Sequence, residues 1–171
     1  VYNNLGVLTV LEAMEYFSKT DKQYRLPLEL DLSFNSASKS VEDTEAFRAQ
    51  LLIEAMGYFN SAISLDRDYA PAYLNLACAH YLLEDYDRAR FYAGVEAARK
   101  ASANPERFPN TGANVEVLLA LIDIREGNES AGIERLSAVS SKSALAAATL
   151  LTAQAKDAPC LLSTPDATDH S

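Results

Sequence analysis

The residues best suited to chemistry lie close together near the middle of the chain. Cys78 and His80 are two residues apart, and the acidic stretch EDYD follows at 84–87. A thiol beside an imidazole could bind a metal ion or form a nucleophile–base pair. On a helix, however, residues two apart point about 200° away from each other, whereas a helical metal pair uses positions i and i+4. The spacing therefore argues against both kinds of site.

No other group of residues completes a catalytic or metal site. The second histidine, His170, lies far away in the C-terminal tail, and no base is evident for Cys78. The acidic residues beginning at Asp66 do not form a calcium loop, because Pro71 stands where such a loop needs glycine and Ala77 where it needs a bidentate acid. We therefore expect no catalytic residue, no metal and no cofactor, and we expect that the chain is not an enzyme.

The composition describes a folded, acidic chain. Its 171 residues are 49% hydrophobic, which is enough for one domain with its own core. The net charge of −9 argues against nucleic-acid binding and against docking on anionic membranes. No apolar run reaches the roughly 18 residues that span a bilayer, so we expect no direct membrane insertion. Two cysteines leave the compartment open, and the missing initiator Met predicts that this is an excerpt of a longer protein.

Hydrophobic periodicity predicts an all-α chain. Apolar residues recur at helical spacing in seven stretches, and Gly127 follows the fifth as a typical helix C-cap. Two prolines, two asparagines and a glycine in NPERFPNTG predict a loop at 104–112. The predicted helices cover 1–17, 44–65, 70–83, 86–101, 113–126, about 130–140 and about 143–156.

One stretch departs from the helical pattern. In YRLPLELDLSF, at 24–34, apolar side chains occupy every second position, which is typical of extended backbone. Pro27 excludes a central strand but permits an edge strand or an extended segment. We therefore expect an extended insertion over about 22–40.

Short sequence similarities indicate an internal repeat. YNNLG at 2–6 matches YLNLA at 73–77, and Leu76-Ala77 recurs 43 residues later as Leu119-Ala120. Ala55 and Ala89, 34 residues apart, each open the inner face of a second helix, and Gly132 takes the same place later. Small residues at such positions let two helices approach closely, and a helical repeat of this kind buries its apolar faces by stacking on its neighbours.

On these motifs the chain resembles the tetratricopeptide repeat (TPR), a helix–turn–helix unit of about 34 residues. The resemblance is strongest over 55–98 and implies a right-handed superhelix of antiparallel helix hairpins. The third repeat departs from the family pattern, with Glu116 where an aromatic residue is usual. The implied domain covers 1–156, with repeats at about 1–68 (insertion 18–43), 70–103 and 113–142, a capping helix at 143–156 and a flexible tail at 157–171.

The resemblance also implies a role for the residues considered first. His80 takes a position where the family places a core aromatic, so we expect it to be packed and hydrogen-bonded. Cys78 falls on the groove-lining face, either as part of that lining or as an inert buried thiol. The EDYD stretch at 84–87 is expected to be a solvated turn with a helix N-cap.

The implied function is a scaffold that binds a peptide or a helix of another protein in an apolar concave groove. Family members that capture chaperone C-termini through a carboxylate clamp carry lysine and arginine there; this chain keeps Asn4 and Asn75 but lacks those cations, so we do not expect that partner. The alternative is a regulatory or structural C-terminal repeat region of a larger, possibly enzymatic, multidomain protein. The expected groove residues are Asn3, Val7, Val10, Leu74, Cys78, Tyr81, Val117, Leu121 and Ile124.

The alternating stretch at 24–34 has three possible roles. Its apolar side chains are too costly to leave in water, so we expect it to pack on an apolar helix surface. It could brace the outside of the first hairpin, lie in the groove as a built-in mimic of a bound peptide, or serve as a docking strand for a partner.

Overall fold

In a computed structural model, residues 1–16, 26–29 and 45–157 are described, and they form seven helices with no strand among them. The fourth helix is α-helical at Tyr86–Arg90, π-helical at Phe91–Ala97 and α-helical again at Ala98–Ala103, and we treat it as one element. The helices are α1 Tyr2–Glu15, α2 Glu45–Leu65, α3 Ala70–Leu82, α4 Tyr86–Ala103, α5 Thr111–Arg125, α6 Glu129–Val139 and α7 Ala144–Asp157.

The predicted helical elements are confirmed, each within about two residues at its ends. The α5 helix begins at Thr111 rather than 113, so part of the expected loop is helical. The rest of the predicted insertion at 18–43, namely 18–25 and 30–43, and the tail at 158–171 lie outside the described residues, so the predicted flexible tail stays a prediction.

Each helix packs on its neighbour in the chain, and the odd-numbered helices also contact one another. α1 packs on α2 and α3, α3 packs on α2, α4 and α5, and α5 packs on α4, α6 and α7. The α3 helix is buried on every side from Ala70 to Tyr81. That burial explains why its sequence is apolar almost throughout and shows little amphipathic pattern.

Small residues set the distance between paired helices. A side chain at Gly6 in α1 would overlap the ring of Phe59, which is fully buried in α2. At Gly132 in α6, a Cβ atom would lie 2.8 Å from the main-chain oxygen of Ala120 in α5. Both glycines therefore mark places where a larger residue would push two helices apart.

The α3–α4 and α5–α6 turns have the same geometry. Glu84 and Gly127, 43 residues apart, both have positive φ, of 60° and 85°. In each turn the following residue donates its main-chain N–H to a carbonyl five residues earlier, from Asp85 to His80 and from Asn128 to Asp123. This is the Schellman ending of a helix, used twice at the spacing at which the sequence motifs recur.

Candidate functional site

The most distinctive feature of the molecule is a four-residue segment, Leu26–Glu29, that lies across three helices. It is non-helical and is far in sequence from the residues that it touches. Its side chains and main chain contact residues of α1, α3 and α5, which are the first helices of the predicted hairpins. We call Leu26–Glu29 the docked segment.

Two asparagines hold the main chain of the docked segment at Glu29. Asn75 Oδ1 accepts from the Glu29 N–H at 2.8 Å, and Asn75 Nδ2 donates to the Glu29 carbonyl oxygen at 2.9 Å. Asn3 Nδ2 donates to the same carbonyl at 2.9 Å, and Asn75 Nδ2 also donates to Asn3 Oδ1 at 2.9 Å. Asn75 is fully buried and Asn3 nearly so, so each would be costly to bury without these partners.

The side chain of Glu29 is held separately by the N-terminal part of α5. Thr111 Oγ1 donates to Glu29 Oε2 at 2.8 Å, and Asn114 Nδ2 donates to Glu29 Oε1 at 2.9 Å. Burial raises the pKa of this carboxyl above its usual value, and the two hydrogen bonds oppose that rise without cancelling it. Thr111 and Asn114 are both neutral, so they do not compensate the negative charge of the carboxylate.

The apolar part of the docked segment packs on the helical core. Pro27 is buried, and Leu26 and Leu28 are half-buried against the core cluster to which α3, α4, α5, α6 and α7 all contribute. Leu28 also packs on the second cluster, formed by α1, α2 and α3. For these residues, the prediction that the stretch packs on an apolar helix surface is confirmed; the remainder of 24–34 lies outside the described residues.

Beside the docked segment is a cavity of about 720 Å³. It opens between the segment and the connection that leads from α4 into α5. Its walls combine apolar rings and prolines with the polar groups that hold Glu29. The lining residues are Leu28, Glu29, Tyr69, Pro71, Arg107, Phe108, Pro109, Asn110, Thr111 and Asn114.

The structure places the nine expected groove residues mostly in the interior. Of these residues, Asn3 contacts the docked segment directly, through its hydrogen bond to Glu29. Ile124 is half-buried. The residues with less than a tenth of their surface exposed are Asn3, Val7, Val10, Leu74, Cys78, Tyr81, Val117 and Leu121.

Cys78 and His80 are both buried. Burial, and secondarily the charge of Glu29, raises the pKa of the Cys78 thiol, which is therefore a poor nucleophile. The His80 ring stacks on Tyr92 with centroids 5.4 Å apart. The expected hydrogen bond is missing at Nδ1, which lies 3.4 Å from Asp85 Oδ2 without hydrogen-bond geometry. Burial lowers the pKa of His80, with the charge of Asp85 opposing the shift.

The expected turn at 84–87 is confirmed. Asp85 is the N-cap of α4, and its side chain accepts from the Arg88 N–H at 3.2 Å. Within residues 1–16, 26–29 and 45–157, no group of three or more His, Cys, Asp or Glu side chains could hold a metal ion. No helix in the same part of the chain is long and apolar enough to cross a membrane.

The chain matches no family model, no curated protein and no solved structure. Its function must therefore be inferred from the residues and their geometry alone.

Sequence reasoning did not identify Glu29, Thr111 and Asn114 as parts of one site. Glu29 was one of the polar residues in an alternating stretch, and Thr111 and Asn114 lie at a loop–helix boundary. They are separated from Glu29 by more than 80 residues, so no local pattern could pair them. The one available signal was Asn75, a polar residue in an otherwise apolar helix, which had to find a buried partner.

Proposed function

We propose that this chain is a non-enzymatic protein–protein interaction scaffold of the TPR type. In this proposal the face formed by α1, α3 and α5 binds an extended peptide of a partner protein. The docked segment occupies the place of that peptide.

The observation that carries the proposal is the pairing of Asn75 with both main-chain groups of Glu29. A side-chain amide that hydrogen-bonds to both the N–H and the C=O of one residue recognises extended backbone. This recognition does not depend on the side chains of the bound peptide. Recognition of this kind supplies affinity, while neighbouring side-chain contacts supply specificity. Here those contacts are the Thr111 and Asn114 bonds to the carboxylate and the apolar surface under Leu28.

Other features support the TPR-type arrangement. The α3–α4 and α5–α6 turns share one hydrogen-bond pattern at a spacing of 43 residues. Close helix contacts occur at Gly6 and Gly132, both among the small positions of the sequence repeat. The odd-numbered helices contact one another, as the first helices of stacked hairpins do.

The test uses a variant in which 22–40 is replaced by a Gly/Ser linker. A fluorescein-labelled peptide of the chain's own sequence 24–34, YRLPLELDLSF, should bind this variant with a Kd in the micromolar range, measured by fluorescence anisotropy. It should bind the unaltered chain far more weakly, because a tethered segment competes at an effective concentration of about 1 mM.

A second substitution locates the binding surface. Adding Asn75→Ala to the linker variant should weaken peptide binding at least tenfold, because two charge-neutral hydrogen bonds to the peptide main chain are lost, each worth about 1 kcal/mol. Asn60→Ala is the matched control, since Asn60 is exposed on α2. Equal binding of the authentic peptide and a scrambled one would refute the proposal. Unfolding of the linker variant would instead indicate that the segment serves as a brace.

A further inference from the structure

The cavity beside the docked segment contains the carboxylate of Glu29, which accepts hydrogen bonds from two neutral side chains. Thr111 and Asn114 are uncharged donors, and Arg107, the cation among the described lining residues, is paired with Asp66 rather than with Glu29. Removing a carboxylate from water costs free energy unless a positive charge or several donors replace the water. A positive charge beside Glu29 would therefore stabilise its ionised carboxylate.

The cavity lining also includes a cation, Arg107, which lies over two aromatic rings. The rings of Tyr69 and Phe108 stand edge to face with centroids 5.7 Å apart. The Arg107 guanidinium lies 4.8 Å from the Phe108 centroid and 5.8 Å from that of Tyr69. Arg107 itself is neutralised by Asp66, whose Oδ2 accepts from its Nη2 at 2.6 Å. The Arg107–Asp66 pair is neutral, so Glu29 sets the net charge among these three side chains.

The size and composition of the cavity suit a small cation on an apolar stem. A volume of about 720 Å³ is within the usual range for small-ligand sites, roughly 300–1,000 Å³. Pro71, Pro109 and the aromatic rings provide apolar walls, and one anionic group is placed among them. Aromatic faces attract ammonium groups through their quadrupole. The net charge of −9 on the whole chain adds a long-range attraction for cations.

We propose that this cavity is a binding site for a primary ammonium group carried on a short aliphatic stem, with Glu29 as its counter-ion and Tyr69 and Phe108 as its walls. The ligand can be a free amine or a lysine side chain of another protein. Because the docked segment supplies Glu29, the site exists only while that segment is in place. This ammonium site is additional to the proposed peptide binding. A ligand bound to Glu29 would make the docked segment harder for a partner peptide to displace.

The pH dependence follows from the groups around Glu29. α1 and α5 face it with neutral Asn3, Thr111 and Asn114, α3 carries Cys78 nearby, and the α4–α5 connection carries Arg107. The pKa of Cys78 is raised by burial, so it stays an uncharged thiol. Protonation of Glu29 removes the counter-ion. Its raised pKa means that ammonium binding is lost at a higher pH than an ordinary glutamate would give.

The experiment is an NMR titration of the full chain at pH 7.5 with n-butylammonium chloride, and in parallel with the peptide acetyl-Ala-Ala-Lys-Ala-Ala-amide. Saturable shifts are expected at the main-chain amides of Thr111 and Asn114, and slower hydrogen exchange is expected at the amide of residue 29. Sodium chloride at equal concentration and n-butanol are controls that should reproduce neither effect. Tighter binding of the peptide assigns the site to a lysine side chain, and equal or tighter binding of butylammonium assigns it to a free amine.

Two variants with the same change in charge make the result specific. Glu29→Gln should weaken binding at least tenfold, equivalent to about 1.4 kcal/mol. Glu106→Gln, an exposed position beside Arg107, should change it less than twofold. Exchange at the amide of residue 29 shows whether the segment stays docked in Glu29→Gln. If the segment undocks in Glu29→Gln, that variant no longer tests the site. The test is then whether the ligand slows hydrogen exchange at the amide of residue 29 in the unaltered chain. Absence of that slowing, or shifts that sodium chloride or Glu29→Gln reproduces, would overturn the proposal.

Discussion

At the scale of single residues, the docked segment is held by neutral amides and a hydroxyl around one acid. Asn3 and Asn75 bind the main chain of Glu29, and Thr111 and Asn114 bind its carboxylate. Each amide hydrogen bond contributes only about 1 kcal/mol net, but leaving a buried amide unpaired costs more. The network therefore specifies where the segment lies more strongly than it stabilises the fold.

The first prediction concerns the pH dependence that Glu29 introduces. Its pKa is raised in the folded protein, so the folded state binds the proton more readily than the unfolded state. The resulting contribution to stability is fully present below the unfolded pKa, near 4.5, and is lost as pH rises through the higher folded pKa. Relative to Glu29→Gln, the unaltered chain should lose free energy of unfolding as pH rises from 4.5 toward neutrality.

Urea unfolding at a series of pH values measures this difference. Glu106→Gln serves as the control, since it removes the same charge at an exposed position. A free energy of unfolding that instead rises with pH relative to Glu29→Gln would mean that the carboxylate is stabilised in its charged form, contrary to the effect expected from its burial.

At the scale of helices, the sequence predicted the elements well, because most helices have apolar residues at helical spacing and most connections contain residues that end or cap a helix. Gly127 was identifiable as a C-cap, since glycine adopts positive φ at little cost. Glu84 occupies the corresponding place in the other turn and also has positive φ. It was not identifiable as a helix C-cap, because glutamate rarely adopts left-handed backbone and so does not indicate one in a sequence. The docked segment was predicted to pack on helices, but its location on α1, α3 and α5 depends on contacts that no local pattern encodes.

The second prediction tests the close packing of α5 and α6. In Gly132→Ala the new Cβ would lie 2.8 Å from the Ala120 oxygen and 2.6 Å from Ile124 Cγ1. The helices must separate, so the free energy of unfolding should fall by about 1–3 kcal/mol. This loss should appear although alanine is intrinsically a better helix former than glycine by about 1 kcal/mol.

A second glycine provides the matched control. Gly57 lies within α2 and is exposed, and a Cβ atom added there would have no neighbouring atom within 4 Å. Gly57→Ala should therefore stabilise the chain by roughly 0.5–1 kcal/mol, through helix propensity alone. Thermal or urea unfolding of both variants measures whether each change raises or lowers the free energy of unfolding. Stabilisation by Gly132→Ala would contradict the close packing of α5 on α6.

At the scale of the whole molecule, the helices contact mainly their near neighbours, and two polar networks each join three helices. The docked segment joins α1, α3 and α5 through Glu29. Farther along, Asp123 in α5 accepts from Arg90 of α4 at 2.7 Å and from Arg135 of α6 at 2.8 Å. Sequence alone could not pair Asp123 with Arg90, since they are 33 residues apart and on different helices.

The last prediction is that Asp123 couples the C-terminal helices to the rest of the molecule. Its side chain is 8% exposed, whereas both arginine side chains are about a third exposed. Asp123→Ala removes two charge-assisted hydrogen bonds and leaves the arginines with their outer partners, Glu126 and Glu116. We expect a loss of about 2–4 kcal/mol in the free energy of unfolding.

The loss should also be uneven along the chain. In an array of helices that contact near neighbours, weakening one interface lowers local stability beyond it first. Hydrogen exchange in Asp123→Ala should therefore accelerate in α6 and α7 while α1 and α2 keep their protection. Glu134→Ala, at an exposed site on α6, removes the same charge and should leave exchange unchanged. Uniform acceleration through all seven helices would show that the described residues unfold as one cooperative unit, and that Asp123 stabilises this unit as a whole.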